Sequence, residues 1–301
     1  KGGTARKLLN DREEFRADFN AHGNEYSRPG MYRIFDRRFY YYKKRYLKTN
    51  SEKVMRNLVD PRNRAIVAFR QQSSCGFHHA FVTNMLGDKN AVSLRTREIN
   101  YYFPLWLLRD PTSIDSGEAQ SNVGTGYLRE LEACFGDAPA GHTPSSEDAF
   151  EYAYAILHSP RYRTKYADFL MSDFPRIPFP GSVGMFINLA SLGKELVANH
   201  LIESPNIDDF ATTFEGPNAP DVGRIGWSSG TVWLDALGTS ARDGHRATKP
   251  GTIGFGGVPE DVWDFHIGSY QVCHKWLNDR KGRTLSDHEI NHYQRIVVAL
   301  N

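Results

Sequence analysis

The sequence predicts an α+β fold built of mixed short β-sheets, a central helical segment, and a C-terminal β-hairpin plus two helices. Three features predict it. Aromatic and β-branched runs bounded by turn residues fill the first hundred residues, apolar spacing turns helical near residue 145, and two short apolar runs flank Ser228-Ser229-Gly230. On this reading residues 1–144 form a β-rich basic part, and 145–301 a part that is helical and then carries the hairpin and two helices. They are expected to pack as one elongated domain or two close lobes.

Each element has a local reason. Residues 31–42, MYRIFDRRFYYY, are rich in rings and poor in strong helix formers, and read as a strand or strand pair. Residues 65–69, 77–83 and 101–108 read as further strands, and 110–126, rich in Ser, Gly and Asp, as a loop. Ser145 and Asp148 have capping-box spacing ahead of Phe150, Ala153, Tyr154 and Leu157. Ser159 starts a second helix, with Pro160 at its first position and Tyr162, Tyr166, Phe169 and Leu170 on one face. It stops before FPRIPFP, 174–180, whose prolines favour an extended course. A third helix is expected over 184–202, with Phe186, Leu189, Leu192, Leu196 and Val197 inward. Strands over 222–227 and 231–234 flank the hairpin turn. One helix is expected from about 259 to Gly282, and Ser286 with Glu289 caps the last, whose inner face is Ile290, Tyr293, Val297 and Leu300.

No apolar run is long enough to cross a bilayer, and KGGTARKLLNDREEF is too polar for a signal peptide, so a soluble, cytoplasmic protein with no membrane partner is expected. Cys75, Cys134 and Cys273 are far apart and odd in number, which argues against a disulfide framework. The start without Met is that expected of a piece of something longer. The net charge of +2 conceals an asymmetry: residues 28–70 hold 13 Arg and Lys against 3 acids, which places +10 there and −8 elsewhere. That asymmetry fits a polyanionic partner, and equally a solvated face whose charge is balanced in three dimensions. Within it RIFDRRFYYYKKR, residues 33–45, interleaves six cations with five rings. Phosphates attract such cations, guanidinium forks match guanine edges, and Tyr40, Tyr41 and Tyr42 suit phosphate bonds or base stacking. Alternate rings of a strand belong to a core, so some of the three must point inward.

The common catalytic constellations do not occur. There is no GxxxxGK[ST] or GxSxG, and GFGG at 254–257 lacks dinucleotide-binding spacing and reads as a turn. Cys75 and His78, with His79 adjacent, have half-zinc-site spacing, but no second pair follows; a buried thiol beside strand imidazoles is preferred. Asp208, Asp209, Glu215 and Asp221 are the acids a Mg²⁺-dependent nuclease would need, in a grouping common in loops. Lys275, Arg280, Lys281 and Arg283 make a second basic patch, at a helix end where positive charge is favourable in any case. No catalytic residue and no metal ligand is assigned.

MYRIFDRRFYYY resembles the "YRPFD-R-YY" signature that follows the catalytic part of large adenine methyltransferases. SLRTREINYYFPLWL, SPRYRTKYADFLMSDFPRIPFP and VPEDVWDFHIGSYQVCHKWLNDRKGRTLSDHEINHYQRIVVAL are similar, in order, to later parts of the same proteins. The chain is identified as a member of the C-terminal specificity regions of type ISP restriction-modification enzymes, large N6-adenine methyltransferases joined to an ATP-driven translocase and a nuclease. It departs at Ile34, where the signature usually has Pro, and at His266, where Arg is common.

The resemblance implies a target-recognition domain that binds double-stranded DNA beside the methyltransferase and translocase domains of the same chain, in bacterial phage defence. It implies no cofactor in this segment, and S-adenosylmethionine, ATP and Mg²⁺ for the larger parent, whose cofactor loop and catalytic tetrad would lie upstream. Arg33, Arg37, Arg38, Lys43, Lys44 and Arg45, with Arg95 and Arg97, are expected on the DNA backbone. Base readers are expected in the loop 117–127 and among Arg224, Trp227, Arg242, His245, Arg246 and Lys249. The alternative is a structural coupler that holds methyltransferase and translocase together with little DNA contact; aromatics and two C-terminal helices suit that too.

Overall fold

The computed structural model describes residues 2–46, 49–71, 77, 80–88, 99–108, 119–135, 143–267 and 270–301, with side chains from Arg12 onward in the first helix and Glu52 onward in the second. The architecture is α+β. It begins with a helix the sequence reading did not place, α1 (Gly2–Tyr26), which lacks proline and has Thr4 as its one β-branched residue.

The ring-rich run is a strand pair, β1 (Ser27–Arg33) and β2 (Asp36–Tyr41), antiparallel with Met31 opposite Arg37 and Pro29 opposite Phe39. The Tyr40 ring lies over Gly30, in space a Cβ would fill. After α2 (Thr49–Met55) come β3 (Ala65–Phe69), β4 (Phe81–Thr83) and β5 (Leu86–Gly87), the last parallel to β1. β3, AIVAF, is buried throughout because both faces are covered. Its pleat sends Val67 and Phe69 into one core and Ile66 into another.

β3 pairs on its other edge with β6 (Asn100–Pro104), and β7 (Trp106–Leu107) pairs with β8 (Gln120–Ser121) ahead of α3 (Thr125–Ala133). The loop expected over 110–126 is therefore corrected where it is described. Bonds from outside the segment order it: Asn122 donates its backbone N–H to the Leu105 carbonyl and its amide to the Pro104 carbonyl.

The helical middle follows its caps. Ser145 and Asp148 form the capping box of α4 (Ser146–His158), and Ser159 caps α5 (Pro160–Lys165). The second expected helix breaks at Tyr166, whose φ of −114° leaves the helical region, and resumes as α6 (Ala167–Ser172). Leu170 is buried as expected, but Phe169 is exposed. α7 (Val183–His200) buries Phe186 and Val197 against α4, with Gly193 where a Cβ would overlap the Glu151 carbonyl; Leu192, expected inward, faces out.

The last part is a six-stranded sheet ordered β12-β13-β10-β11-β14-β9, made of β9 (Thr213–Glu215), β10 (Gly226–Ser228), β11 (Thr231–Trp233), β12 (Gly238–Ser240), β13 (Arg246–Lys249) and β14 (Gly254–Gly256). Ser229 (φ 48°) and Gly230 (φ 80°) both have positive φ, as the tight turn between β10 and β11 requires. The single helix expected next is instead α8 (Glu260–Trp263), a two-residue pair β15 (His266–Ile267) and β16 (Tyr270–Gln271), then α9 (Val272–Asn278). Tertiary bonds override helix propensity here. Trp263 Nε1 donates to the Gly244 carbonyl at 2.8 Å, and the Gln271 amide bonds both that carbonyl and the Trp263 carbonyl. α10 (Asp287–Leu300) has the expected capping box and buries Ile290, Tyr293 and Val297, with Leu300 partly covered.

The first core runs from Met31 and Ile34 of the hairpin through Phe255 and Trp263 to Tyr293 and Val297. The second joins Ile66, Val82 and Leu105 to Tyr154, Phe186 and Val197. Among the described residues no helix is long and apolar enough to cross a membrane.

Candidate nucleic-acid interface

The hairpin end is bolted to the C-terminal helices. Asp36 is buried, and its carboxylate accepts from Arg280 at 2.9 Å and Arg38 at 3.2 Å. Arg280 also lies over the Trp276 ring at 3.4 Å and reaches Glu289 at 3.2 Å. Phe35, in the turn, has φ of 59°, and its carbonyl can only accept, so His292 Nε2 carries the proton that bonds it at 2.7 Å. Burial lowers the pKa of His292, which favours that neutral ring.

From this anchor β2 turns outward. Arg37, Arg38 and Phe39 are exposed. Arg37 sits 5.6 Å from the Phe39 ring centroid, and among the described residues no carboxylate pairs with it. Arg38 stands over the Tyr32 ring at 5.1 Å. Arg33, expected on a DNA backbone, is corrected: it is buried, with its guanidinium over Tyr32 and an N–H donated to the Tyr32 carbonyl. Tyr40 and Tyr42 pack against a small core with Leu58 and Leu86, and burial pushes the Tyr40 phenol up to about 12.

The rest of the basic run is already paired. Lys43 bonds Asp18 at 2.5 Å, Arg45 bonds Glu14 at 2.5 Å, and Lys44 lies 3.5 Å from Glu52. Bonds from Lys43 and then Tyr41 hold the Asp18 carboxyl below its ordinary value. Arg62, Arg64 and Arg70 face Asp60, Glu151 and Asp173. Glu14 and Asp18 of α1, with Glu151 and Asp173, thus answer part of the local excess of +10 in the sequence.

Of the other expected base readers, Trp227, Arg246 and Lys249 lie in strands of the six-stranded sheet, and Arg224, Arg242 and His245 in the segments between its strands. Trp227 and Arg246 are bridge partners, with the guanidinium 4.5 Å from the ring and held by Asp264 and Glu260 at 2.7–2.8 Å. Trp227 Nε1 donates to the Val258 carbonyl. His245, at φ 58°, stacks on His274 at 3.6 Å, and burial lowers His274 to about 3 and His245 in the same direction. Arg224 donates to the Leu237 carbonyl at 2.6 Å. Arg242 and Lys249 are exposed, and among the described residues neither meets a carboxylate. So the structure brings Trp227, His245 and Arg246 together and leaves Arg242 and Lys249 as open cations. Arg95, Arg97, Cys75, His78 and His79 lie outside the described residues, as does part of 117–127.

Between the hairpin and the C-terminal helices opens a cleft of about 680 Å³, with Arg37, Phe39, Asn84, Glu203, Trp276 and His288 in its walls. Sequence reasoning missed Asp36 as an anchor and Asn84, Glu203 and His288 as lining. It also missed the acids of α1, although Glu14, Asp18 and Phe15, Phe19 recur at helical spacing and were legible. Asp208 is engaged by Arg295 and Asp221 by Thr284, and no group of three or more His, Cys, Asp or Glu side chains among the described residues could hold a metal.

The model of the family described as Type ISP C-terminal specificity domain matches residues 6–301. No curated protein matches. Among solved structures, the chain is similar to the DrdV–DNA complex (TM-score 0.64, 21% identity), covering 91% of this chain and 27% of that one. It is similar to the ATP-dependent type ISP restriction-modification enzyme LlaBIII bound to DNA (0.63, 18%), covering 92% of this chain and 18% of that one. A nuclease-deletion mutant of the type ISP enzyme LlaGI in complex with a DNA substrate mimic scores 0.59 at 16% identity, covering 91% and 24%. At these identities the likeness is one of fold, and the chain spans about a quarter or less of each relative.

Proposed function

The chain belongs to the type ISP C-terminal specificity domains, and from that premise we propose that it recognises a short sequence in double-stranded DNA and so directs an adjacent N6-adenine methyltransferase and ATP-dependent restriction nuclease. The observation that carries this reading is the family match over 6–301. The relatives of like fold are described as bound to DNA. A coupler with little DNA contact is not favoured, since the family is one of specificity domains.

Phosphate contacts would set register, and base-edge contacts would set sequence. Arg37, Arg242 and Lys249 are the open cations for the first task, and Lys44 and Arg45 can exchange solvated carboxylates for phosphates. The methyltransferase and translocase would be domains of the same bacterial cytoplasmic protein, and S-adenosylmethionine, ATP and Mg²⁺ would serve those domains. The test is duplex binding by the 301-residue chain across a salt series. Affinity is expected to fall steeply as salt rises, because each neutralised phosphate releases counterion. No duplex affinity at low salt would overturn the reading. Incubation with Mg²⁺ and plasmid is expected to give no cleavage.

A further inference from the structure

One large ring on β2 is left uncovered. Phe39 is 72% exposed and stands beside Arg37 at the mouth of the 680 Å³ cleft. The cleft falls within the range of roughly 300–1,000 Å³ typical of small-molecule sites. Elsewhere in its lining the Asn84 amide donates to Glu203 at 2.7 Å, which gives the cleft a polar edge.

The support beneath the pair is rigid. Phe35 adopts a left-handed backbone that a bulky residue rarely takes, fixed by the His292 bond and by the buried Asp36–Arg280 pair. Strain over-determined in this way marks places where a neighbouring group must be presented in one orientation. The groups presented are a ring face and an open guanidinium. A paired, stacked base shows only its edges to a protein, so a free ring face suits a base that has left the stack.

We propose that Phe39 and Arg37 form a stacking site for a nucleobase displaced from bound DNA, with Phe39 giving its ring and Arg37 a contact to the flanking phosphate. This rests on the DNA-recognition reading and deepens it: the site holds open a local distortion of the duplex. The sequence alone offered Arg37 as a backbone contact and assigned nothing to Phe39.

The experiment compares binding of the 301-residue chain to a fully paired labelled duplex and to the same duplex carrying one extrahelical nucleotide. The expected preference for the extrahelical nucleotide is about tenfold, the size of one base–aromatic stack. An abasic residue at that position should remove it. Phe39→Ala should abolish the preference and Phe39→Trp should keep it; Phe169→Ala, an equally exposed ring elsewhere, should also keep it. Equal affinity for the two duplexes, or a preference that survives Phe39→Ala, overturns the stacking site while leaving DNA recognition standing. Binding to neither duplex at low salt overturns the recognition reading, and the stacking site with it.

Discussion

Residues 36–39 and 43–45 belong to one basic run, yet acids hold them in opposite ways. At the first stretch the acid is inside: Asp36 is buried between Arg280 and Arg38, and its work is to aim the strand. At the second the acids come from another helix and lie nearer the surface: Glu14 of α1 sits exposed on Arg45, and Asp18 half-buried on Lys43. A buried carboxylate orients its neighbours and leaves Arg37 uncompensated at the surface. An exposed one cancels charge and orients little.

The largest expected effect follows from removing the inner acid. Asp36→Ala removes one of the two acids that hold the buried Arg280 guanidinium, and unfolding free energy in urea should fall by about 3 kcal/mol. A change as small as that of a surface pair would break the comparison.

Acid separates buried groups from exposed ones more generally. Between about pH 7 and pH 5 surface carboxylates stay charged, and the Asp18 carboxyl, already held low, stays so longest. Buried imidazoles do not stay neutral in the unfolded chain. Burial lowers His158 well below its ordinary value, His200 to about 4 and His274 to about 3. These groups bind protons more readily when unfolded, so their contribution is complete above pH 6.5 and declines as pH falls through that value toward their folded values. Denaturation midpoints should drop on going from about pH 7 to about pH 5, each group losing up to about 1.4 kcal/mol per unit.

Next in size is the DNA contact itself. Arg37→Ala should reduce the slope of log affinity against log salt by about one, and Lys43→Ala by clearly less, because Lys43 must first leave Asp18. Equal slopes would show that paired and open cations do the same work. The smallest effect belongs to the outer acids: Glu14→Gln with Asp18→Asn should leave the thermal midpoint nearly unchanged while raising duplex affinity a few-fold at low salt.

Features set by neighbours in sequence were legible in advance. The capping boxes at Ser145 and Ser286 and the turn at Ser229-Gly230 depend on bonds spanning a few residues, and the strand at 65–69 shows as an unbroken apolar run. The family motifs were legible for the same reason. What escaped is non-local. The 259–282 stretch scans as a helix until Gly244 draws Trp263 and Gln271 toward it. Linear charge counting could not know that α1 folds back on 43–45. Nor does any spacing rule connect Asp36 to Arg280, so the anchor of the candidate site was invisible while its cations were not.

That anchor also sets a schedule. Asp36 waits for a partner 244 positions further along the chain, and Phe35 for one 257 positions on. At roughly 5–20 residues per second of synthesis, the hairpin leaves the ribosome many seconds before anything can clasp it. Until Arg280 and His292 emerge, the early-made strand pair has Arg38 to answer Asp36 but lacks the bonds that clasp it to the rest of the fold, so chains truncated before residue 280 should stall as sticky, partly assembled species.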